Sequence, residues 1–136
     1  MANEFARNLK DSNFVVTKAL PAANATATSD DLDLQAIATG SSFPENVELE
    51  ISVPATANHT AGTLTFTVQN GSSAAPTTAL LNTSFTVASS TAGGSATVKR
   101  IGIPSDVARY LNVKAVNSTS TDGDSTGVSF TVQLLF

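Results

Sequence analysis

Apolar and polar residues alternate with a period of two along much of the chain. Residues 47–53, VELEISV, set Val47, Leu49, Ile51 and Val53 against Glu48, Glu50 and Ser52. In TLTFTV, Leu64, Phe66 and Val68 alternate with Thr63, Thr65 and Thr67. Near the end, Val128, Phe130, Val132, Leu134 and Phe136 alternate with Ser129, Thr131 and Gln133. A pleated strand sends successive side chains to opposite faces, so this pattern predicts half-buried strands. Threonine suits the outward positions, because it is β-branched and still meets water. Weaker alternation predicts further strands over 13–18, 32–34, 84–88, 96–103 and 109–116. Gly102 falls where the parity of its segment is disturbed, which predicts a bend or bulge.

Turn-forming stretches separate these runs: GSSFPEN, PATANHTAG, QNGSSAAPTT, SSTAGGS, IPSD and STSTDGDSTG. No long stretch shows helical amphipathicity. About eight short strands at such spacings predict an all-β chain, an antiparallel β-sandwich of jelly-roll type. The expected division is a short arm over 1–12 and a single β-sandwich domain over 13–136. TFTV, SFTV and SFTV recur at residues 65–68, 84–87 and 129–132. Their unequal spacing is not that of a solenoid or propeller. It predicts one packing solution used three times, with Phe and Val inward and Thr outward.

Composition narrows the function classes. A length of 136 residues fits one domain. Charged residues make up only 13%, about half the ~25% usual for globular domains. Ser, Thr and Asn take their place. The net charge is −4, and Lys99-Arg100 is the only adjacent basic pair. Binding to a phosphate backbone needs a positive stripe, so nucleic acid is not an expected partner. No apolar run approaches the length of a membrane helix, and the first residues lack the basic and apolar regions of a secretory signal. Neither membrane association nor secretion is therefore expected. Cysteine is absent, which removes disulfides and thiolate chemistry.

Catalytic equipment is sparse. The one histidine, His59, falls in the turn TANHTAG and is expected to be a solvated loop residue. No Gly-x-Ser-x-Gly elbow or phosphate-binding loop occurs, and one His without Cys cannot build a zinc site. Asp30, Asp31 and Asp33 cluster in SDDLDL, with Asp31 and Asp33 on one strand face, as paired glycosidase carboxylates would be. With no Trp and one Tyr to form a sugar platform, they read instead as a solvated acidic edge that discourages strand addition. Asp122 and Asp124 flank Gly123 in TDGDSTG, which lacks the twelve-residue calcium pattern and reads as a hairpin tip. No catalytic residue, metal or cofactor is predicted.

What remains points to contact surfaces. Arg109-Tyr110 follows the turn IPSD, and the alternation after it separates Leu111, Val113 and Ala115 from Tyr110, Asn112, Lys114 and Val116. Arg109 is expected to pair with Asp106 across the turn, and Tyr110 to cover the less buried face. Arg and Tyr are the residues enriched at interface anchors. In FTVQLLF, Leu134 has inward parity and Leu135 the opposite one, which implies cover on both faces, from a loop of the same chain or from another subunit. The candidate interface residues are Arg109, Tyr110, Lys114, Leu135, Phe136 and Phe5.

From about residue 12 onward the order of motifs resembles the jelly-roll cement, or decoration, proteins of tailed-bacteriophage capsids. The motifs are DLDL leading to Gly40, VELEISV, GTLTFTVQN, Gly93-Gly94, then IP, RYLNV and the closing GVSFTVQLLF. The resemblance implies a non-enzymatic protein on the outer surface of an icosahedral head, assembled in the host cytoplasm. Its implied partners are major capsid subunits, which it clamps together, and copies of itself, a trimer before a dimer. A receptor- or glycan-binding sandwich of a phage tail or fibre, or another head or tail component, is the alternative expectation.

Overall fold

A computed structural model of the chain describes residues 10–34, 47–80, 82–104, 106–118 and 125–135. Among the described residues it contains ten strands and no helix. In chain order they are β1 (Lys10–Ala19), β2 (Thr26–Thr28), β3 (Leu32–Asp33), β4 (Glu48–Val53) and β5 (Thr63–Gly71), then β6 (Thr78–Ala79), β7 (Phe85–Ala88), β8 (Thr97–Gly102), β9 (Tyr110–Asn117) and β10 (Ser129–Leu135). One sheet has the order β1-β10-β4-β8. The other has the order β2-β9-β5-β6, with β3 also on β9 and β7 also on β5. Every strand pair is antiparallel. The chain is thus an all-β sandwich.

Alternation explains the core. Leu49, Ile51 and Val53 of β4 and Phe130, Val132 and Leu134 of β10 are buried in one hydrophobic cluster. The cluster also takes Leu64, Phe66 and Val68 of β5 and Leu111, Val113 and Ala115 of β9. The three Phe-Thr-Val repeats meet within it. Phe66 stacks on its cross-strand partner Phe85 at 5.0 Å and meets Phe130 of the opposite sheet edge-on at 5.4 Å. Aromatic pairs prefer both arrangements to a face-to-face sandwich with full overlap. The repeat is a packing solution, with Phe85 half-buried and the other two rings fully enclosed.

The strand number exceeds the expected eight because two edge strands are broken. Thr28 lies opposite Lys114 but Leu32 lies opposite Leu111, a slip of one residue between β2 and β3. There the Ser29 hydroxyl accepts from the Val113 N–H at 3.0 Å, taking the place of a backbone acceptor. Between β6 and β7 the chain leaves β5 through Asn82 at φ 58°, and the Thr83 hydroxyl donates to the Leu80 carbonyl at 2.7 Å. Ser, Thr and Asn readily divert backbone bonding in this way.

Two local expectations need correction. Gly102 makes no bulge: it pairs with Glu48 in unbroken register. Its segment lies at a sheet edge, where inward positions are only partly covered, and this is what disturbs the parity. The irregularity of that sheet lies in β1, between Lys10 and Val15. Strand β1 also begins at Lys10, inside the stretch expected to be an arm.

Candidate interaction surface

Arg109 stands immediately before β9 and is the centre of a polar cluster at one end of the second sheet. The register that sets Asp33 opposite Tyr110 brings two distant segments side by side. The Arg109 guanidinium grips Asp33 with both arms: Nε donates to Oδ1 at 2.7 Å and Nη2 to Oδ2 at 2.8 Å. This bidentate geometry is the strongest form of such a pair. The expected pairing of Arg109 with Asp106 is therefore replaced by one with Asp33. A strand ladder brings a remote carboxylate closer than a local turn does. Hydrogen bonding to Asp33 raises the Arg109 pKa further above its already high range. Its guanidinium carbon also lies 4.9 Å from the centre of the Tyr110 ring, within cation–π reach.

The neighbouring acid is engaged as well. Asp31 Oδ2 accepts from the Ala75 N–H at 2.6 Å, and its Oδ1 accepts from Asn112 Nδ2 at 3.1 Å. Asn112 Nδ2 also donates to the Pro76 carbonyl at 3.2 Å. Gln69 Nε2 donates to the Thr77 carbonyl at 2.9 Å. Asp31 and Asp33 thus hold a loop and an arginine in place, where sequence reasoning expected a solvated acidic edge.

This loop divides the expected contact face. Tyr110 and Lys114 share outward parity on β9, but Asn112 between them is buried beneath the 72–77 segment. Lys114 is half-buried, opposite Thr28 on one side and Thr67 on the other. Leu135 belongs to the other sheet, opposite Glu48, and is buried within its own chain at 1% exposure. Of the two kinds of cover expected for it, cover from the same chain holds, and it presents no surface to another subunit. Phe5 and Phe136 lie outside the described residues, as do Asp122, Gly123 and Asp124. Arg109, Tyr110 and Asp33 therefore form one compact surface group, with Arg109 exposed and the other two half-buried, and the remaining candidates do not join it.

His59 is the largest departure from expectation. It is completely buried, and neither ring nitrogen has a hydrogen-bond partner. The Thr56 hydroxyl beside it is also buried without one. Its turn is folded inward by a two-way backbone pairing: Thr56 N donates to Gly94 O, and Gly94 N to Thr56 O, both at 2.9 Å. Gly94 lies so close to His59 that an added Cβ would sit 3.2 Å from its Cδ2. No local pattern marks this burial, because the partner loop is remote in sequence. The ring packs as a buried side chain, and removal of its two unpaired nitrogens should cost little. His59→Leu is expected to unfold within about 1.5 kcal/mol of the parent in urea titration. A loss well above that would show that the nitrogens hold a ligand or water.

A cleft of about 230 Å³ opens beside this turn, lined by Thr56, Ala57, Asn58, Ser125, Gly127 and Val128. It is smaller than the ~300–1,000 Å³ usual for organic ligands. Among the described residues no three acidic or imidazole groups gather as metal ligands. The chain matches no known protein-family model and no curated protein.

Proposed function

We propose that this chain is a structural virion protein of the capsid-cement kind. In this reading it attaches to the outer surface of an icosahedral phage head and clamps neighbouring major capsid subunits. The observation that carries the reading is the strand order. With β2 and β3 counted as one edge strand, and β6 and β7 as another, the pairings are nested. The first strand pairs with the last (β1 with β10), the second with the seventh (β2/β3 with β9), the third with the sixth (β4 with β8) and the fourth with the fifth (β5 with β6/β7). Nested pairing over eight strands is what a long hairpin rolled into two Greek keys produces, the jelly-roll arrangement recurrent in viral capsid and lectin domains. The motif order resembling cement proteins gives this topology its functional direction, since a fold alone does not assign one.

The surface chemistry is compatible with a shell. Low charge density lets many copies sit close together without strong mutual repulsion. The Arg109–Tyr110–Asp33 group at the surface supplies residue types that anchor interfaces. Several weak contacts per oligomer then add into durable attachment. The protein itself is read as non-enzymatic and as a homo-oligomer, a trimer before a dimer, which light scattering after size exclusion measures directly.

The test adds purified protein to expanded heads that lack it, followed by sedimentation and heat challenge. Co-sedimentation at a fixed stoichiometry and a raised rupture temperature are expected. Heads that take up none of the protein would overturn the reading. In the same assay Arg109→Ala and Tyr110→Ala are each expected to weaken attachment about tenfold or more. Arg109→Ala also breaks the bidentate pair with Asp33, and Tyr110 is half-buried, so a modest fall in the melting temperature of the free protein is expected for each and attachment is compared well below it. Undiminished attachment of both variants would remove this end of the sheet from the contact surface.

A further inference from the structure

Among the described residues the two sheets leave four edges, and three of them are interrupted. Strand β1 carries its register slip, while β2 with β3 and β6 with β7 are short and broken. Short strands and bulges are the usual protection against unwanted strand addition. Strand β8 is uninterrupted, and its protection is charge, at Lys99 and Arg100. It pairs with β4 over six successive positions, from Val53 opposite Thr97 to Glu48 opposite Gly102, without a slip. Among the described residues no other strand pairs with it.

One hydrogen bond sets the phase of this edge. Ile103 N donates to Val47 O at 2.9 Å, just beyond the pair Glu48–Gly102. Hydrogen-bonded and non-hydrogen-bonded pairs alternate along an antiparallel ladder. Residues 97, 99 and 101 therefore turn their backbone groups toward β4, and Val98, Arg100 and Gly102 turn theirs away from the sheet. Among the described residues nothing pairs with the outward side. Val98, at 61% exposure, is the one large apolar side chain exposed among the described residues. Lys99, Arg100 and Gly102 are exposed too, and a Cβ on Gly102 would meet nothing within 4 Å.

The charge on this edge selects the occupant. Lys99-Arg100 is the only adjacent basic pair in a chain of net charge −4. Arg100 Nε is already committed to Glu50 Oε2 at 2.9 Å, directly across the ladder. Lys99 has the parity of the apolar face, so an uncharged incoming strand would crowd its ammonium group at the rim. A carboxylate opposite would instead be favoured. A second copy pairing β8 to β8 about Lys99 or Arg100 would set like charges opposite each other, which is destabilising.

We propose that β8 is a selective strand-docking edge. Its occupant is an extended segment of a partner protein with an acidic residue facing Lys99, and the outward backbone groups of Val98, Arg100 and Gly102 form the new ladder. Backbone bonds supply affinity and the facing charge supplies specificity, as in other β-strand additions. This inference does not depend on the particle reading: it concerns any partner that presents such a segment.

The probe is a blocked, fluorescently labelled peptide of alternating valine and glutamate, compared with its valine–lysine counterpart, titrated into the full chain by anisotropy. The glutamate peptide is expected to bind at least about tenfold more tightly than the lysine peptide, with the difference shrinking in high salt. Lys99→Glu should reverse the preference. Val98→Pro removes an outward N–H that β4 does not use, so it should abolish binding at an unchanged melting temperature. Methylating alternate peptide amides gives the same test without altering the protein, and one of the two methylation phases should abolish binding. Equal binding of the two peptides, or binding indifferent to both Val98→Pro and peptide methylation, would overturn the proposal. So would self-association abolished by Val98→Pro in a chain that binds neither peptide, since the occupant would then be a second copy.

Discussion

Phe66→Ala is expected to lower the unfolding free energy by about 3–5 kcal/mol. For a domain of this size that corresponds to a fall in melting temperature of roughly 10–20 °C. The ring is fully buried in β5, and two further rings depend on it: Phe85, stacked at 5.0 Å within the sheet, and Phe130, edge-on at 5.4 Å across the sandwich. Truncation removes apolar contact on both sides and leaves a cavity that rigid strands cannot close. Thr65→Ala, one position away on the outward face, is the control, with an expected change within about 0.5 kcal/mol. Denaturant titration of both variants measures the contrast. A Phe66→Ala loss below about 1 kcal/mol would contradict the inward placement of the repeated Phe-Thr-Val motif. A double-mutant cycle with Phe85→Ala should show a coupling of about 0.5–1.5 kcal/mol beyond simple area loss.

Gly93→Ala is expected to cost about 2–5 kcal/mol, from backbone strain and overpacking together. Gly93 has φ 94°, a region that side chains rarely tolerate, and an added Cβ would lie 2.4 Å from the Thr56 carbonyl oxygen. That oxygen is itself the acceptor for Gly94 N–H, so it cannot retreat without opening the pairing between the two loops. The Ser90 hydroxyl donates to the Gly93 carbonyl at 2.6 Å, which fixes the turn from its other side. The loops join the exit of β4 to the approach of β8, so the damage should be felt at that end of the first sheet. Gly127→Ala is the matched control: a Cβ there meets nothing within 4 Å, and its melting temperature should stay close to the parent. Hydrogen exchange that quickens at Thr56 and Gly94 in Gly93→Ala would locate the effect. Equal stability of the two glycine variants would refute it.

The legible part of the fold was the part written in local alternation. The segments holding Leu49, Phe66, Val113 and Phe130 were placed correctly because each strand carries its own inside and outside, whatever it later pairs with. The two-residue strands β3 and β6 and the three-residue β2 are too short to show a period, and nothing in the alternation marks β2 or β6. They exist because β9 and β5 offer them an edge, not because their sequences demand extension. Gly102 misled for a related reason: the exposure of an edge strand blurs the parity that a central strand keeps.

The candidate contact group was half legible. Arg109 and Tyr110 stood out by type and position, but the acid that holds Arg109 lies 76 residues away. Only the pairing of β3 with β9 brings Asp33 to it, and a local turn therefore suggested the wrong partner in Asp106. Parity singles out Lys114 and Leu135, yet it says only which side of a sheet a residue faces. Whether that side is then covered is a separate matter. The 72–77 segment covers Asn112, and Leu135 is enclosed by its own chain.

His59 marks the limit most clearly. In TANHTAG nothing distinguishes a solvated imidazole from a buried one, since turn residues and a lone polar ring make no period. By itself the sequence determined that this chain is a β-sandwich with a Leu-, Val- and Phe-lined interior, little charge, one histidine and no cysteine, because these follow from alternation and composition. Only the tertiary structure decided that His59 is enclosed against Gly94, that Arg109 belongs to Asp33, and that β8 is the long uninterrupted edge. Each of those depends on contacts between segments far apart in the chain, which local patterning does not encode.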